Sequence, residues 1–539
     1  MDRDARMLAH LSPDQVEAAT APPGPVLCVA PAGSGKTTTL VARVAWRIAQ
    51  GADPGTICAL TFNRRAAEEL RSRLDVALGA LGIPDGVVRV RTFHALGLEI
   101  LREARYPVEP LVDRTKVITR LSGASLRPAL LRQLDDAFSG FKLDHGLDAE
   151  GAHAELAAMR VADSDTGVDR RAARALDAAG ERLRRLQLEA FIAYEAELAR
   201  LGGLDFDDLV ARTVRMLEAD PALLEHWRGR CRVLFVDEVQ DLDRSQLRLA
   251  LLLTSPANDC FMVGDDDQTI YAWRLADVRR ILGLAASLPG LRRVDLVTNR
   301  RCPPAVVERA TRLVAHNRER FEKRILAAPT ATGDLVLRPD PTDDVTRARS
   351  LLATWAPALR GPDPPAHAVL ARTNRELAPY AAAALELGLP YRAEEDGLEA
   401  LDDPHAPGGS AHRAHWSVGR TGASLDADIQ AAAEARMELR RSDAPLILAT
   451  AHGTKGLEFD VVACIGLETG VFPSARTLQE AETPWRALEE ERRLAYVAWT
   501  RARQRLVLIY DPGAPSPFLE EAFDPEELVR AWRGRLGPH

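Results

Sequence analysis

The sequence predicts an α/β protein of two lobes, each a parallel sheet flanked by helices, with a helical insertion in the first lobe. Three observations predict it. Short apolar runs alternate with longer helical patterns along most of the 539 residues, as expected of parallel sheets covered by helices. That length exceeds one compact domain and suggests roughly three or four folding units. The alternation breaks over 96–203, a stretch rich in Ala, Leu, Arg and Glu with helical periodicity.

In chain order, the candidate strands of the first sheet are 25–30 (PVLCVA), 56–62 (TICALTF), 233–237 (VLFVD) and 260–264 (CFMVG). Those of the second are 294–298 (VDLVT), 367–372 (HAVLAR), 446–451 (LILATA), 461–466 (VVACIG) and 505–510 (RLVLIY). Each is a short run rich in apolar residues of the kind buried on both faces of a parallel sheet. A second interruption, 393–444, begins with the Pro/Gly-rich DDPHAPGGSAHRAHW and continues into one helical pattern, DADIQAAAEARMELRR. It reads as a mobile loop rather than a packed domain. No internal repeat is visible.

Composition narrows the class. Hydrophobic residues make up 46% and charged residues 27%, enough apolar content for several cores. The N-terminal MDRDARMLAHLSPDQ lacks the apolar centre of a signal peptide. No run approaches the roughly 18 apolar residues that would span a bilayer, so the expected setting is cytoplasmic, with no membrane partner. Six cysteines, at 28, 58, 231, 260, 302 and 464, show no CxxC spacing, and most sit in apolar runs. They read as buried reduced thiols rather than a disulfide framework, a zinc site or an iron–sulfur cluster. The net charge of −8 does not mark a strongly basic nucleic-acid binder. A local basic groove and base stacking remain available to such a protein.

The strongest local signal runs Ala30, Pro31, Ala32, Gly33, Ser34, Gly35, Lys36, Thr37, directly after a strand and before a helix. Gly33 and Gly35 let the backbone curl so that its N–H groups face phosphate oxygens at a helix N-terminus. Lys36 supplies a point charge for the β- and γ-phosphates of ATP, and the Thr37 hydroxyl suits Mg²⁺. Ala30 stands where this pattern usually begins with glycine. Such a loop needs an acidic partner on a neighbouring strand, and Asp237-Glu238 provides it. Asp237 is placed to hold Mg²⁺ through water and Glu238 to polarise the attacking water.

Phe235-Val236-Asp237-Glu238-Val239-Gln240-Asp241 and Val263-Gly264-Asp265-Asp266-Asp267-Gln268-Thr269-Ile270-Tyr271-Ala272-Trp273-Arg274 together resemble motifs II and III of the UvrD/Rep/PcrA helicases of superfamily 1. The rest of that set appears in order. Leu11 to Gln15 resembles the Q motif, Thr61-Phe62-Asn63 with Ala66-Ala67 motif Ia, and Thr92-Phe93-His94 motif Ib. Leu204-Asp205-Phe206-Asp207-Asp208 resembles the segment before motif II. Asn299-Arg300-Arg301 resembles motif IV and Arg372-Thr373-Asn374 motif IVa. Ala451 to Phe459 resembles motif V and Glu489 to Ala502 motif VI. The matches run from about residue 11 to 510, nearly the whole chain.

The resemblance implies two RecA-like lobes. The first comprises 1–95 and 204–292 (1A) around a helical insertion at 96–203 (1B). The second comprises 293–392 and 445–539 (2A) around 393–444, a truncated form of the family's 2B subdomain. It implies that Gln15 reads adenine, that Arg301 and Arg501 approach the γ-phosphate beside Lys36, and that Gln268 senses it. Thr38, Arg300 and Glu458 complete the nucleotide-binding set. On single-stranded DNA, or DNA with a single-stranded tail, it implies stacking by Phe62 and Trp273. His94, Arg274, Arg372, Asn374, His452 and Lys455 would contact the same strand.

Three departures stand out. Arg300 replaces the tyrosine that relatives stack on adenine, and a guanidinium plane can also stack. Thr38 stands where relatives often carry arginine. Only about fifty residues fill the place of the 2B subdomain, and only about thirty follow the last match near 510, so no nuclease domain is expected after motif VI. The expected function is an ATP-dependent helicase moving 3′ to 5′ on single-stranded DNA. The alternative is a DNA-stimulated ATPase switch or remodeller that displaces proteins or serves a protein partner, as in anti-phage defence, without processive unwinding. A binding module with a decayed ATPase is disfavoured by the complete set of charged residues. An unrelated kinase or transporter ATPase explains neither motif III nor motif VI.

Overall fold

The structure is a computed structural model that describes residues 8–123, 126–164, 173–393 and 439–536. Its contacts divide the chain into two units, Met1–Val29 with Lys36–Leu296, and Ala30–Gly35 with Val297–His539.

The first unit is built on a six-stranded sheet in the order β3-β2-β4-β5-β1-β6. The strands are β1 (Val26–Val29), β2 (Ile57–Thr61), β3 (Arg89–Thr92), β4 (Val233–Val236), β5 (Cys260–Gly264) and β6 (Arg292–Asp295). Every pairing is parallel, so all C-terminal strand ends lie along one edge, where open α/β sheets bind ligands. The four central strands are buried at every position, which explains their unbroken apolar runs. The edge strands β3 and β6 each carry two arginines, charges that guard an open edge against further pairing.

The helical stretch of this unit has its own core. Val117, Ile118, Phe138, Phe141, Leu188, Phe191, Tyr194 and Leu198 pack together from the helices Arg114–Ser122, Pro128–Ser139 and Ala173–Leu201 and the turn Gly140–Asp144. The chain enters and leaves it at one point, where Leu111 and Leu204 form a parallel bridge. Beside that point lies a buried cluster of charges. Lys142 Nζ contacts Glu195 at 2.7 Å, Asp205 at 2.8 Å and Asp208 at 2.9 Å. Arg114 adds bonds to Asp205, Asp207 and Asp135. Burial alone would push the Asp205 carboxyl up, but Lys142 and Arg114 outweigh it and hold the group below the usual carboxylate range.

The second unit repeats the plan with the order β11-β12-β10-β13-β14-β9, again wholly parallel. Its strands are β9 (Asp334–Pro339), β10 (His367–Ala371), β11 (Tyr391–Ala393), β12 (Leu446–Thr450), β13 (Phe459–Cys464) and β14 (Ala502–Tyr510). The helices Asp344–Leu359 and Asn374–Glu386 cover it through Leu351, Leu352, Trp355, Leu377 and Tyr380.

The α/β class and the two parallel sheets are as the sequence predicts. One strand differs. The run 294–298, read as the opening strand of the second sheet, is divided. Arg292–Asp295 pairs with β1 at the edge of the first sheet, and β7 (Thr298–Asn299) pairs with β8 (Leu326–Ala327). The division falls at Leu296, whose N–H bonds the Val29 carbonyl and whose side chain is buried. Strands β3, β9 and β11 escape an apolar-run criterion, because RVRT is half arginine, DLVLRP ends in proline, and YRA is three residues long. The shortened insertion expected at 393–444 lies, but for its ends, outside the described residues. At those ends Tyr391 and Arg440 form a parallel bridge. All six cysteines are buried, and among the described residues no helix is long and apolar enough to cross a membrane.

Candidate functional site

In the first unit, helix Lys36–Ala49 begins straight after the glycine-rich loop, with Lys36, Thr37 and Thr38 in its half-buried first turn. Lys36 Nζ lies 3.4 Å from Glu238 Oε2. Asp237 follows β4, and its Oδ1 accepts the Glu238 N–H at 3.0 Å. Its carboxyl is pushed up to about 7, first by burial and then by the charge of Glu238, with Lys36 pulling the other way. That carboxyl is one hard oxygen donor, and the Thr37 hydroxyl, in the first turn of the helix that carries Lys36, is a second. This donor set fits Mg²⁺.

Glu238 itself adopts φ +52, a conformation that non-glycine residues rarely take and that clusters at functional sites. Its Oε2 also accepts Gln240 Nε2 at 2.6 Å. Gln240 Oε1 accepts the Asp265 N–H at 3.0 Å, and Asp265 Oδ2 accepts Gln268 Nε2 at 2.7 Å. An unbroken polar chain therefore runs from Lys36 through Glu238, Gln240 and Asp265 to Gln268, joining the C-terminal ends of β4 and β5. Gln240 and Asp265 carry no role in the sequence reading, although both lie in its motifs II and III. Gln15 is buried and its Oε1 accepts the Ser12 N–H at 3.1 Å, closing the first turn of helix Pro13–Thr20.

Aromatic side chains gather along the same strand ends. Phe62, after β2, stacks on Tyr271 with centroids 5.5 Å apart and planes 10° from parallel. Tyr271 meets Trp273 edge-on at 6.0 Å. Trp273 is 56% exposed, with the Arg274 guanidinium 4.6 Å from its ring centre. His94, after β3, stacks on Phe206 at 4.0 Å, and Phe206 is also 56% exposed. Burial holds the His94 imidazole down to about 4, with Arg274 adding to the effect and Asp207 opposing it. Tyr271 and Phe206 are members of this group that residue-by-residue reading missed. Their signal was an aromatic residue inside a quoted motif.

In the second unit, the loop Ala30–Gly35 carries Gly33 at φ +68 and Gly35 at φ +85. A Cβ on Gly33 would stand 2.7 Å from both Arg301 Cβ and Asn299 Oδ1, so glycine is required there by space as well as by conformation. The Gly33 carbonyl accepts the Arg300 N–H at 2.9 Å, and the Ala32 N–H donates to Tyr496 Oη at 3.4 Å. Pro31 accepts the Ser34 N–H at 3.1 Å within the loop, which starts at the buried Ala30. Asn299 Oδ1 accepts the N–H groups of Arg301 and Cys302, shaping the turn that carries Arg300 and Arg301. Arg301 Nε donates to Glu458 Oε2 at 2.8 Å. Arg501 is buried and donates to the carbonyls of Val497 and Leu457.

The remaining expected contacts follow strand ends of the second sheet. Arg372, after β10, donates to both Glu491 oxygens and to Thr477 Oγ1. Asn374 opens helix Asn374–Glu386, capped by Thr373. His452 follows β12 in a short 3₁₀ turn that leads into Lys455. Burial holds the His452 imidazole down to about 4, helped by the charges of Arg372 and Lys455.

Residues 11–289 match the UvrD/REP helicase N-terminal domain, and 426–512 match the UvrD-like helicase C-terminal domain. The chain is 31% identical to a Mycobacterium tuberculosis protein named ATP-dependent DNA helicase UvrD2, over 588 aligned residues covering 95% of this chain and 81% of that one. It is 26% identical to a Leuconostoc citreum protein named ATP-dependent DNA helicase PcrA, over 96% of this chain and 85% of that one. The chain belongs to the UvrD/REP helicase family of superfamily 1.

Proposed function

We propose that the chain is an ATP-driven motor that moves 3′ to 5′ along single-stranded DNA in the cytoplasm, entering from a single-stranded tail and hydrolysing ATP with Mg²⁺. The observation that carries this reading is the polar chain from Lys36 to Gln268, which ends five residues before the exposed Trp273. A group that feels the γ-phosphate and a platform for a base thus share one short segment after β5. The division into 1A (1–95, 204–292), 1B (96–203), 2A (293–392, 445–539) and a truncated 2B (393–444) belongs to the same proposal.

In this reading the loop Ala30–Gly35 wraps the phosphates with its N–H groups, and Lys36 neutralises the β- and γ-oxygens. Thr37, and Asp237 through water, would hold Mg²⁺, which would offset charge on the phosphates when bound. Glu238 accepts a proton from the attacking water, its carboxylate aimed by Gln240. Arg301 and Arg501 stabilise charge on the transferring group; a single such arginine is worth about 10³–10⁵ in rate. Gln15, Thr38, Arg300 and Glu458 complete the nucleotide-binding set. Phe62, Trp273 and the His94–Phe206 pair grip bases by stacking, worth roughly 1–3 kcal/mol per base. Arg274, Arg372, Asn374, His452 and Lys455 line the strand.

The test is ATP turnover by purified protein with Mg²⁺, with and without oligo(dT), beside Glu238→Gln. Strong stimulation that disappears in the variant is expected; turnover indifferent to DNA would overturn the motor reading. The short 393–444 segment favours one second reading, a DNA-stimulated switch or remodeller that displaces proteins or serves a protein partner. Strand separation on a forked duplex distinguishes the two.

A further inference from the structure

The turn Gly140–Asp144 is the single π-helical segment among the described residues, and such turns are frequent at functional sites. Lys142, Leu143 and Asp144 each hold a different part of the first unit. Lys142, 1% exposed, is bonded to Asp205 and Asp208, the residues that flank Phe206 and Asp207. The Leu143 carbonyl accepts Ser245 Oγ at 2.8 Å. The Asp144 carbonyl accepts Arg244 Nη1 at 3.2 Å, and its carboxylate accepts Arg280 Nη2 at 2.8 Å.

Arg280 carries the connection onward. Its Nη1 donates to the carbonyls of Leu275 and Leu242. Leu275 stands at φ +65 and closes the 3₁₀ turn Ala272–Arg274 that presents Trp273. The middle and the last residue of one five-residue turn therefore reach toward two exposed aromatic platforms of the unit, Phe206 through Lys142 and Trp273 through Asp144.

We propose that this turn is the element through which the helical insertion fixes both single-strand platforms, with Asp144 a positioning residue for Trp273 acting through Arg280. The inference rests on the reading that these platforms stack on bases. A left-handed residue such as Leu275 is held only when its surroundings over-determine it. Arg280, bonded at once to Asp144, Leu242 and Leu275, supplies that constraint. Without Asp144 the guanidinium loses its carboxylate partner on the turn and is left facing Asp243 and Asp277, the other acidic groups that bear on it. The insertion then no longer sets the angle of the Trp273 turn.

Asp144 is suited to the test because its side chain is 26% exposed. Replacing Lys142 would instead remove a buried cation shared by three carboxylates and so confuse folding with function. Binding of fluorescein-labelled oligo(dT) is measured by anisotropy for wild type, Asp144→Ala, Trp273→Ala and the double variant, with Arg280→Ala as a second probe of the same connection. Asp144→Ala and Arg280→Ala are expected to weaken binding roughly five- to tenfold, and Asp144→Ala to add almost nothing when Trp273 is already alanine. Wild-type affinity in Asp144→Ala, with Trp273→Ala weakened, would overturn the inference and leave the stacking reading intact. Equal weakening by Asp144→Ala in both backgrounds would also overturn it, since the residue would then act elsewhere. Wild-type affinity in Trp273→Ala would overturn the stacking reading itself.

Discussion

Gln240 Nε2 donates to Glu238 Oε2 at 2.6 Å, the same oxygen that stands 3.4 Å from Lys36 Nζ. The carboxylate is therefore aimed from two sides, while its backbone is held in a conformation that costs of order 1–3 kcal/mol. Removing the carboxamide leaves the Lys36 contact but frees the aim. Gln240→Ala should lower kcat for ATP by about 10–100-fold while KM changes less than about threefold, the pattern of an interaction made chiefly in the transition state. Steady-state turnover across ATP concentrations checks this. A rise in KM at constant kcat would move Gln240 into nucleotide binding.

The same carboxamide explains a glycine. A Cβ on Gly264 would stand 2.3 Å from Gln240 Oε1 and 2.8 Å from Val239 Cγ1. Gly264→Ala must displace the carboxamide or the strand end, at about 1–3 kcal/mol of stability. Its kinetic effect should match that of Gln240→Ala, and the double variant should turn over no more slowly than Gln240→Ala alone. Additive losses would show that Gly264 serves something other than room for Gln240.

These two residues also show how far the sequence could be read. The central strands were legible because burial on both faces forces unbroken apolar runs such as Leu234-Phe235-Val236. The acidic pair at 237–238 and the loop before Lys36 were legible because phosphate chemistry allows few residue types in that order. Edge strands such as Arg89–Thr92 were not, because a strand with one covered side tolerates arginine. The partnership of Gln240 with Asp265 was hidden for a different reason. It joins two strand ends 25 residues apart in the chain, and no local pattern encodes which glutamine in a motif turns inward. The buried Lys142 lay inside a helical stretch that composition marks only as helix.

Lys36→Ala tests the nucleotide loop. The lysine is the cation that acts on both Glu238 and the raised Asp237 carboxyl, so its loss removes charge at the centre of the site. ATP turnover should fall at least about 10²–10³-fold, the usual scale for deleting one electrostatic stabiliser. Single-strand binding, carried by aromatic residues on other strand ends, should be largely retained. Turnover near the wild-type rate would remove the loop from the catalytic assignment.

The two histidines give the pH dependence. His94 and His452 are each held down to about 4 from an ordinary value of 6.5, chiefly by burial. His94 faces Asp207 and Arg274, and His452 faces Arg372 and Lys455. At these two imidazoles the unfolded chain binds more protons between those values than the folded one, so their contribution to stability is lost as pH falls through that window and is fully present above it. Asp237 and Asp243, each raised to about 7, act in the opposite sense over the same window, so the histidine contribution is read as a difference: on lowering pH from about 6.5 to 5, the melting temperature of wild type should fall relative to that of His94→Gln, in which one of the two imidazoles no longer titrates. Above that window neither imidazole carries charge, so neither adds to the salt dependence of DNA binding, which counts cationic contacts with phosphate. The slope of affinity against salt should be the same near pH 7 and near pH 8. A steeper slope at the lower pH would mean that one histidine is protonated on the strand, and that burial does not hold it neutral.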